Sequence, residues 1–169
     1  FLLFINATNM LDGINYQTGF FSIYISIFFL INNFFLILFI LIIISLLNFL
    51  LLNHKNKSFL GDNGSVLLAF LFGYFFIKIY NQETDIYADY IFLIMFIPGI
   101  DLMRLFITRI LKGSHPFTPD RNHLHHILLR KNNLITVNLI VQTLIIIPSL
   151  GGYYFGYTYL FLSFQVLVY

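Results

Sequence analysis

Three histidines fall within four positions, at His123, His125 and His126, and Arg121 stands two residues ahead of the first. A guanidinium can grip a phosphate through two parallel hydrogen bonds, and imidazoles can donate to phosphoryl oxygens. The cluster therefore suits a phosphorylated ligand. It also suits a transition metal, because neutral imidazole is a common ligand. Read without either, it is a basic, wet loop at lipid headgroups. Gly113, Pro116 and Pro119 stiffen the loop that feeds it, and His123 and His126, three apart, would share a helical face.

Two further stretches carry acids. In Phe59-Leu60-Gly61-Asp62-Asn63-Gly64-Ser65, glycines flank a carboxylate at a helix start. Free N–H groups and the positive helix end there suit phosphate, Asp62 suits a Mg²⁺ that bridges phosphate oxygens, and Phe59 could stack a base. A Gly-rich turn with Asp62 as a plain N-cap has the same residues. In Asn6-Ala7-Thr8-Asn9-Met10-Leu11-Asp12-Gly13-Ile14-Asn15, Asn9 and Asp12 lie three apart at a helix end and Gly13 permits a sharp exit. An amide and a carboxylate so placed can read a nucleobase edge or hold a metal through water, and an ordinary Asp-Gly turn also looks like this.

The elements that must position these groups are apolar. The chain is 59% hydrophobic and 9% charged, with no cysteine, and its mean hydropathy is +0.87. Soluble domains carry about 25% charged residues, so the composition gives an all-α, polytopic integral membrane protein and excludes a disulfide framework. A span needs about 20 apolar residues. Residues 1–8 read as the tail of a truncated span. Six complete spans follow, near 17–32, 34–52, 64–80, 90–107, 135–148 and 153–169. Asn32-Asn33 breaks the long apolar run, and Gly151-Gly152 is the expected turn of the closing hairpin. The whole of 1–169 reads as one transmembrane domain with polar loops near 9–19, 53–63 and 108–133. Because the chain opens inside an apolar stretch, it is expected to be the C-terminal part of a longer protein.

Lys55, Lys57, Arg104, Arg109, Lys112, Arg121, Arg130 and Lys131 fall on one side of this arrangement, while Glu83, Asp85 and Asp89 fall on the other, near Lys78. The excess of Lys and Arg marks the cytoplasmic side. Asp12, Asp62 and the His cluster are each two spans apart, so all three should face the cytoplasm, provided that 20–52 is two helices. Asp101 and Arg104, three apart near a span end, are expected to pair with each other or with the loop, since an unpaired charge at that depth is costly.

Together the three stretches resemble the polyprenyl-phosphate N-acetylhexosamine-1-phosphate transferases, a glycosyltransferase family. The resemblance rests on Asn9 to Gly13, Phe59 to Ser65 and Pro116 to His126, on their order, and on the even number of spans between them. The His-x-His-His form behind Pro119-Asp120-Arg121 is similar to the branch that starts O-antigen, lipopolysaccharide and teichoic-acid glycans with N-acetylglucosamine on undecaprenyl phosphate. It is less like the muramoyl-pentapeptide branch. The resemblance implies an inner-membrane enzyme that moves a sugar-1-phosphate from a UDP-N-acetylhexosamine to a polyprenyl phosphate on the cytoplasmic face, releases UMP and uses Mg²⁺, or Mn²⁺ in its place. It implies Asp62 as the metal ligand, with Asp12 among the catalytic residues. Asn9, Asp12, Asn15, Asn53 and Phe59 would lie at the uridine end, and Arg121, His123, His125 and His126 at the diphosphate and sugar. The partners implied are nucleotide sugar, lipid phosphate and membrane, with a homodimer among the allowed assemblies and no nucleic acid.

Two departures bear on this expectation. Asn15 stands where the family often has a second Asp, so no charge or base is available there. The family's adjacent aspartate pair belongs to an earlier loop that this chain does not contain, so the 169 residues alone are expected to be inactive. Two other readings compete. A metal or ion transporter would use the His cluster but would want its ligands at the midplane of the spans. A catalytically silent homologue would keep the scaffold without the chemistry.

Overall fold

The computed structural model describes residues 1–82, 87–113, 115 and 122–169. In chain order the helices are α1 (Leu2–Leu11), α2 (Gln17–Ile31), α3 (Leu36–His54), α4 (Gly61–Tyr80), α5 (Ala88–Leu111), α6 (Leu124–Leu129), α7 (Leu134–Phe155) and α8 (Thr158–Val168). All regular structure among the described residues is helical. The four helices α3, α4, α5 and α7 run 19, 20, 24 and 22 residues and are apolar enough to cross a membrane. With a rise of about 1.5 Å per residue, each reaches close to the hydrocarbon thickness. The chain is thus an all-α, multi-pass membrane protein. Of the six segments expected as complete spans, α2 and α8 are the short ones, at 15 and 11 residues.

The expected break in the long apolar run is present. Asn32 and Asn33 separate α2 from α3, Asn33 takes a positive φ of 58°, and the Asn32 amide donates to Phe28 O at 2.8 Å. Asn tolerates the left-handed region better than the surrounding Phe and Ile do. The two helices fold back on each other, and their aromatic rings lock the hairpin. Phe29 stacks on Phe39 with centroids 4.4 Å apart and meets Phe76 of α4 at 4.9 Å. This hairpin returns the chain to the end where α1 stops, and so sets Asp12 beside the start of α4.

The closing hairpin is placed differently from the expectation. Gly151 and Gly152 lie inside α7, which continues past Pro148 to Phe155, and the turn is Gly156 at φ 70°. A Cβ on Gly151 would overlap the Phe161 ring, and one on Gly152 would overlap Leu93 Cδ1. These two glycines therefore permit close packing of α8 and α5 rather than a reversal, and only Gly156 needs the left-handed conformation. Polar residues one or two turns apart on α7 join it to the α2 side. Asn138 Nδ2 donates to Asn15 O at 3.0 Å and Gln142 Nε2 to Gln17 O at 2.9 Å. Such bonds hold helices together where lipid offers no hydrophobic drive.

Candidate functional site

The last turn of α1 and the first turn of α4 build the centre of the site. Asn9 and Asp12 stand one turn apart at the end of α1, and the Ser65 hydroxyl of α4 donates to Asn9 Oδ1. Gly61 opens α4 at a positive φ of 59°, a conformation that turns its N–H toward the Asp12 carboxyl. Burial holds the Asp12 carboxyl above the ordinary carboxylate range. The Thr18 hydroxyl and the Gly61 N–H oppose that shift, and the nearby Asp62 charge adds to it. Asp62 itself is exposed in the first turn of α4. Phe59, on the approach to it, is 67% exposed.

The opposing wall is a clamp of asparagines. Asn15 Nδ2 donates to Asn53 O at 3.2 Å and to Asn56 Oδ1 at 2.6 Å. Asn53 is buried; its Oδ1 accepts from Tyr16 N–H at 2.8 Å and its Nδ2 donates to Ser58 O at 2.9 Å. Both amides thus tie the loop after α1 to the loop after α3. The clamp bears on the Asp that the resemblance would place at position 15. A carboxylate there would face the Asn53 carbonyl without a proton to give, at a penalty of about 1–3 kcal/mol. Asn15→Asp is expected to lower the unfolding midpoint by several degrees, read by thermal unfolding in detergent; an unchanged midpoint would remove the clamp.

The third wall is α6 and the residue before it. His123 is the N-cap of α6, and its Nδ1 lies 2.9 Å from Asp101 Oδ2 on α5. The His123 and His125 rings are parallel within 2°, with centroids 5.5 Å apart, and His126 is tilted against His125 at 4.4 Å. His125 is 2% exposed and faces Gly13, where a Cβ would overlap its Nε2. Burial, then the neighbouring His126 and His123, push the His125 imidazolium down to about 3. His125 is therefore a neutral ring through the physiological range. A histidine lowered from its unfolded value makes stability fall as pH drops from about 6.5 toward 3, because only the unfolded chain takes the proton. Unfolding midpoints measured from pH 7 to pH 5 should decline less in His125→Gln than in the parent; equal slopes would rule out a buried neutral His125.

The fold thus brings Asn9, Asp12, Asp62, His123 and His125 to one end of the bundle, with Asn15 and Asn53 bracing it and Phe59 open beside it. Arg121 lies outside the described residues. Asp101 and Arg104 pair with each other and with the loop, as expected, through His123 and the Asn122 carbonyl. Ser65 stood in the 59–65 stretch without a role, and Thr18 was not singled out. Serine and threonine in an apolar helix carry no signal until their neighbours are known.

For a divalent cation, Asp12 and Asp62 are the fitting donors: two adjacent carboxylates repel one another, and hard oxygen ligands suit Mg²⁺. Among the described residues, no three His, Cys, Asp or Glu side chains converge to hold a metal ion. The histidine rings stack instead of pointing at a common centre, which counts against a transition-metal site. Beside the asparagine clamp, a groove of about 590 Å³ runs between α2 and α7, lined by Tyr16, His54 and Asn138 near the clamp and by Phe20, Ile27 and Ile146 beyond. It is apolar along its length and begins at the polar end.

Residues 1–80 match the model of glycosyl transferase family 4. The undecaprenyl-phosphate alpha-N-acetylglucosaminyl 1-phosphate transferase of Yersinia pestis is 34% identical over 149 residues, 75% of this chain and 38% of the relative. Proteins of the same name from Escherichia coli and Haemophilus influenzae are 34% and 33% identical over 86 and 96 residues, covering 23% and 27% of those relatives. The chain therefore spans well under half the length of these relatives. No solved structure matches it.

Proposed function

The chain belongs to glycosyl transferase family 4, and from that premise we propose that it carries part of the active site of an enzyme that transfers an N-acetylhexosamine-1-phosphate from a UDP-sugar to a polyprenyl phosphate. The observation that supports this most is the meeting of three stretches far apart in sequence: Asp12 beside Asp62, and Gly13 against His125. In the proposed reaction an oxygen of the lipid phosphate attacks the sugar-bearing phosphorus. The bond from that phosphorus to the oxygen shared with UMP breaks, and UMP leaves. Two anions must meet for this, so cationic or hydrogen-bonding groups around the phosphates are what catalysis requires.

The residues divide the work by their chemistry. Asp62, with Asp12, would hold Mg²⁺, whose charge neutralises the diphosphate. Phe59 offers an open ring for the uracil. Asn9 is fixed by Ser65, and Asn15 and Asn53 hold the loop after α1 against the end of α3, beside the proposed uridine end. His123, His126 and Arg121 are assigned to the diphosphate and sugar. His125, buried against Gly13, holds the wall from behind. The apolar groove between α2 and α7 suits the prenyl chain, because an acceptor confined to the membrane must reach the polar end from the side. The excess of Lys and Arg in the loops at this end supports a cytoplasmic face for the proposed site.

The test is UMP release by the full-length protein in detergent, with polyprenyl phosphate, Mg²⁺ and a panel of UDP-N-acetylhexosamines. Release that needs both lipid and metal is expected and would identify the sugar. A well-folded protein that releases no UMP with any donor would overturn the reading.

A further inference from the structure

Asp101 sits on α5 with 8% of its surface exposed, in a helix apolar enough to cross a membrane. A carboxylate in that setting must be well supplied with donors. Four converge on it. Oδ1 accepts from Arg104 Nη2 at 2.7 Å, from the Tyr169 hydroxyl at 2.9 Å and from Leu124 N–H at 3.1 Å. Oδ2 accepts from His123 Nδ1 at 2.9 Å. Arg104 is itself anchored: its Nε donates to Tyr169 at 2.6 Å and its Nη2 to Asn122 O at 2.6 Å. The carboxylate therefore joins α5, the end of α8 and the start of α6.

Two of these bonds have consequences for the site. An ionised carboxylate only accepts, so the nitrogen facing it must carry the proton; Asp101 fixes His123 with Nδ1 protonated and leaves Nε2 as the nitrogen available to a ligand. Leu124 N–H is one of the unpaired donors of the first turn of α6, and no side chain within α6 caps it. Asp101 supplies that cap from another helix. Position and tautomer are thus set by one group. His123 in turn stacks in parallel on His125, which abuts Gly13, so the orientation passes from Asp101 to the Asp12 loop through two rings.

We propose that Asp101 is a positioning residue of the transferase site, acting through His123, whose tautomer and ring plane it fixes while pinning the first turn of α6. This deepens the transferase reading and rests on it. The role differs from that of an ion pair kept for membrane insertion, in which Arg104 alone would satisfy Asp101 and the state of His123 would be immaterial.

The experiment uses the full-length protein with ¹⁵N-labelled histidine, His123 being assigned by comparison with His123→Gln. The parent is expected to show His123 protonated at Nδ1. In Asp101→Asn the amide can turn its NH₂ toward the ring, and the proton is expected to move to Nε2. Transfer should fall about 10–100-fold, as for loss of a group that orients a functional histidine. In the Asp101→Asn, His123→Gln double variant, the loss should equal that of His123→Gln alone, because one residue acts through the other. A parent His123 protonated at Nε2, or losses that multiply in the double variant, would overturn the proposal. If Asp101→Asn does not fold, the parent tautomer still decides: Nδ1–H supports the clamp and Nε2–H removes it. If the parent releases no UMP with any donor, the transferase reading fails, while the ¹⁵N signature still judges Asp101's hold on His123.

Discussion

Replacing Asp62 by alanine in the full-length protein is expected to abolish transfer, with a loss on the order of 10³-fold, the scale seen when a group stabilising transition-state charge is removed. The expectation rests on where the residue sits. Asp62 is exposed in the first turn of α4, beside the half-buried Asp12, whose carboxyl feels its charge. An exposed acid at a helix start contributes about 0.3–1 kcal/mol through the helix dipole, and removing it also relieves the repulsion with Asp12. The variant should therefore fold, with an unfolding midpoint within a few degrees of the parent. Asp62→Asn separates the two ways in which the residue could act. It retains hydrogen bonding and removes charge, so it should be as inactive as alanine if Asp62 holds a divalent cation. The readout is lipid-dependent UMP release at saturating Mg²⁺. Parent-like release from a folded Asp62→Ala would end the metal-binding assignment, and an active Asp62→Asn would reduce Asp62 to a hydrogen-bonding cap.

The path of the helices was largely legible because lipid exposure leaves a strong signature. Long apolar stretches gave α3, α4, α5 and α7, and two consecutive asparagines inside a Phe- and Ile-rich run marked the expected reversal. The glycines near the end were legible only in part. Gly151-Gly152 and Gly156 are equally good turn signals in one dimension, yet the first two serve the approach of Phe161 and Leu93, partners visible only once α5, α7 and α8 are packed. Helix length was the other weak point. Mean apolarity does not say where one helix hands over to the next, and α7 runs on to Phe155, so α8 begins only at Thr158.

At the site, the residues that carry charge were legible and the residues that hold them were not. Asp12, Asp62 and the histidines stand out against an apolar background by type alone. The Asn15–Asn53 clamp joins positions 38 apart, and the Asp101–His123 bond joins positions 22 apart. No local pattern encodes either. Asp101 could be flagged, because a carboxylate is expensive on a span, but its partner beyond Arg104 is set by where the start of α6 meets α5. The same holds for His125. Its type suggests a ligand-facing group, and only the packing against Gly13 shows a ring turned into the protein.

That packing gives the second large expected effect. Gly13 is not in the left-handed region, so its backbone accepts a side chain, and the nearest obstacle to Gly13→Ala is the His125 ring. The new Cβ would overlap Nε2 and come within 2.8 Å of Cε1. The ring cannot swing aside freely: His123 lies parallel to it at 5.5 Å, His126 is tilted against it at 4.4 Å, and Asp101 holds His123 in place. Overpacking of this kind costs about 1–3 kcal/mol, and here the strain falls on the loop that carries Asp12. Gly13→Ala is expected to lower the unfolding midpoint by several degrees and transfer by about 10²-fold, since a displacement of about 1 Å at a positioned group is enough for that loss. The double variant Gly13→Ala, His125→Ala should unfold no earlier than His125→Ala alone, because the methyl then occupies space the ring has left. Thermal unfolding and UMP release on the four proteins close the cycle. Additive destabilisation would place the Gly13 effect outside the contact with His125, and a Gly13→Ala protein as stable and active as the parent would separate the aspartate and histidine walls of the site.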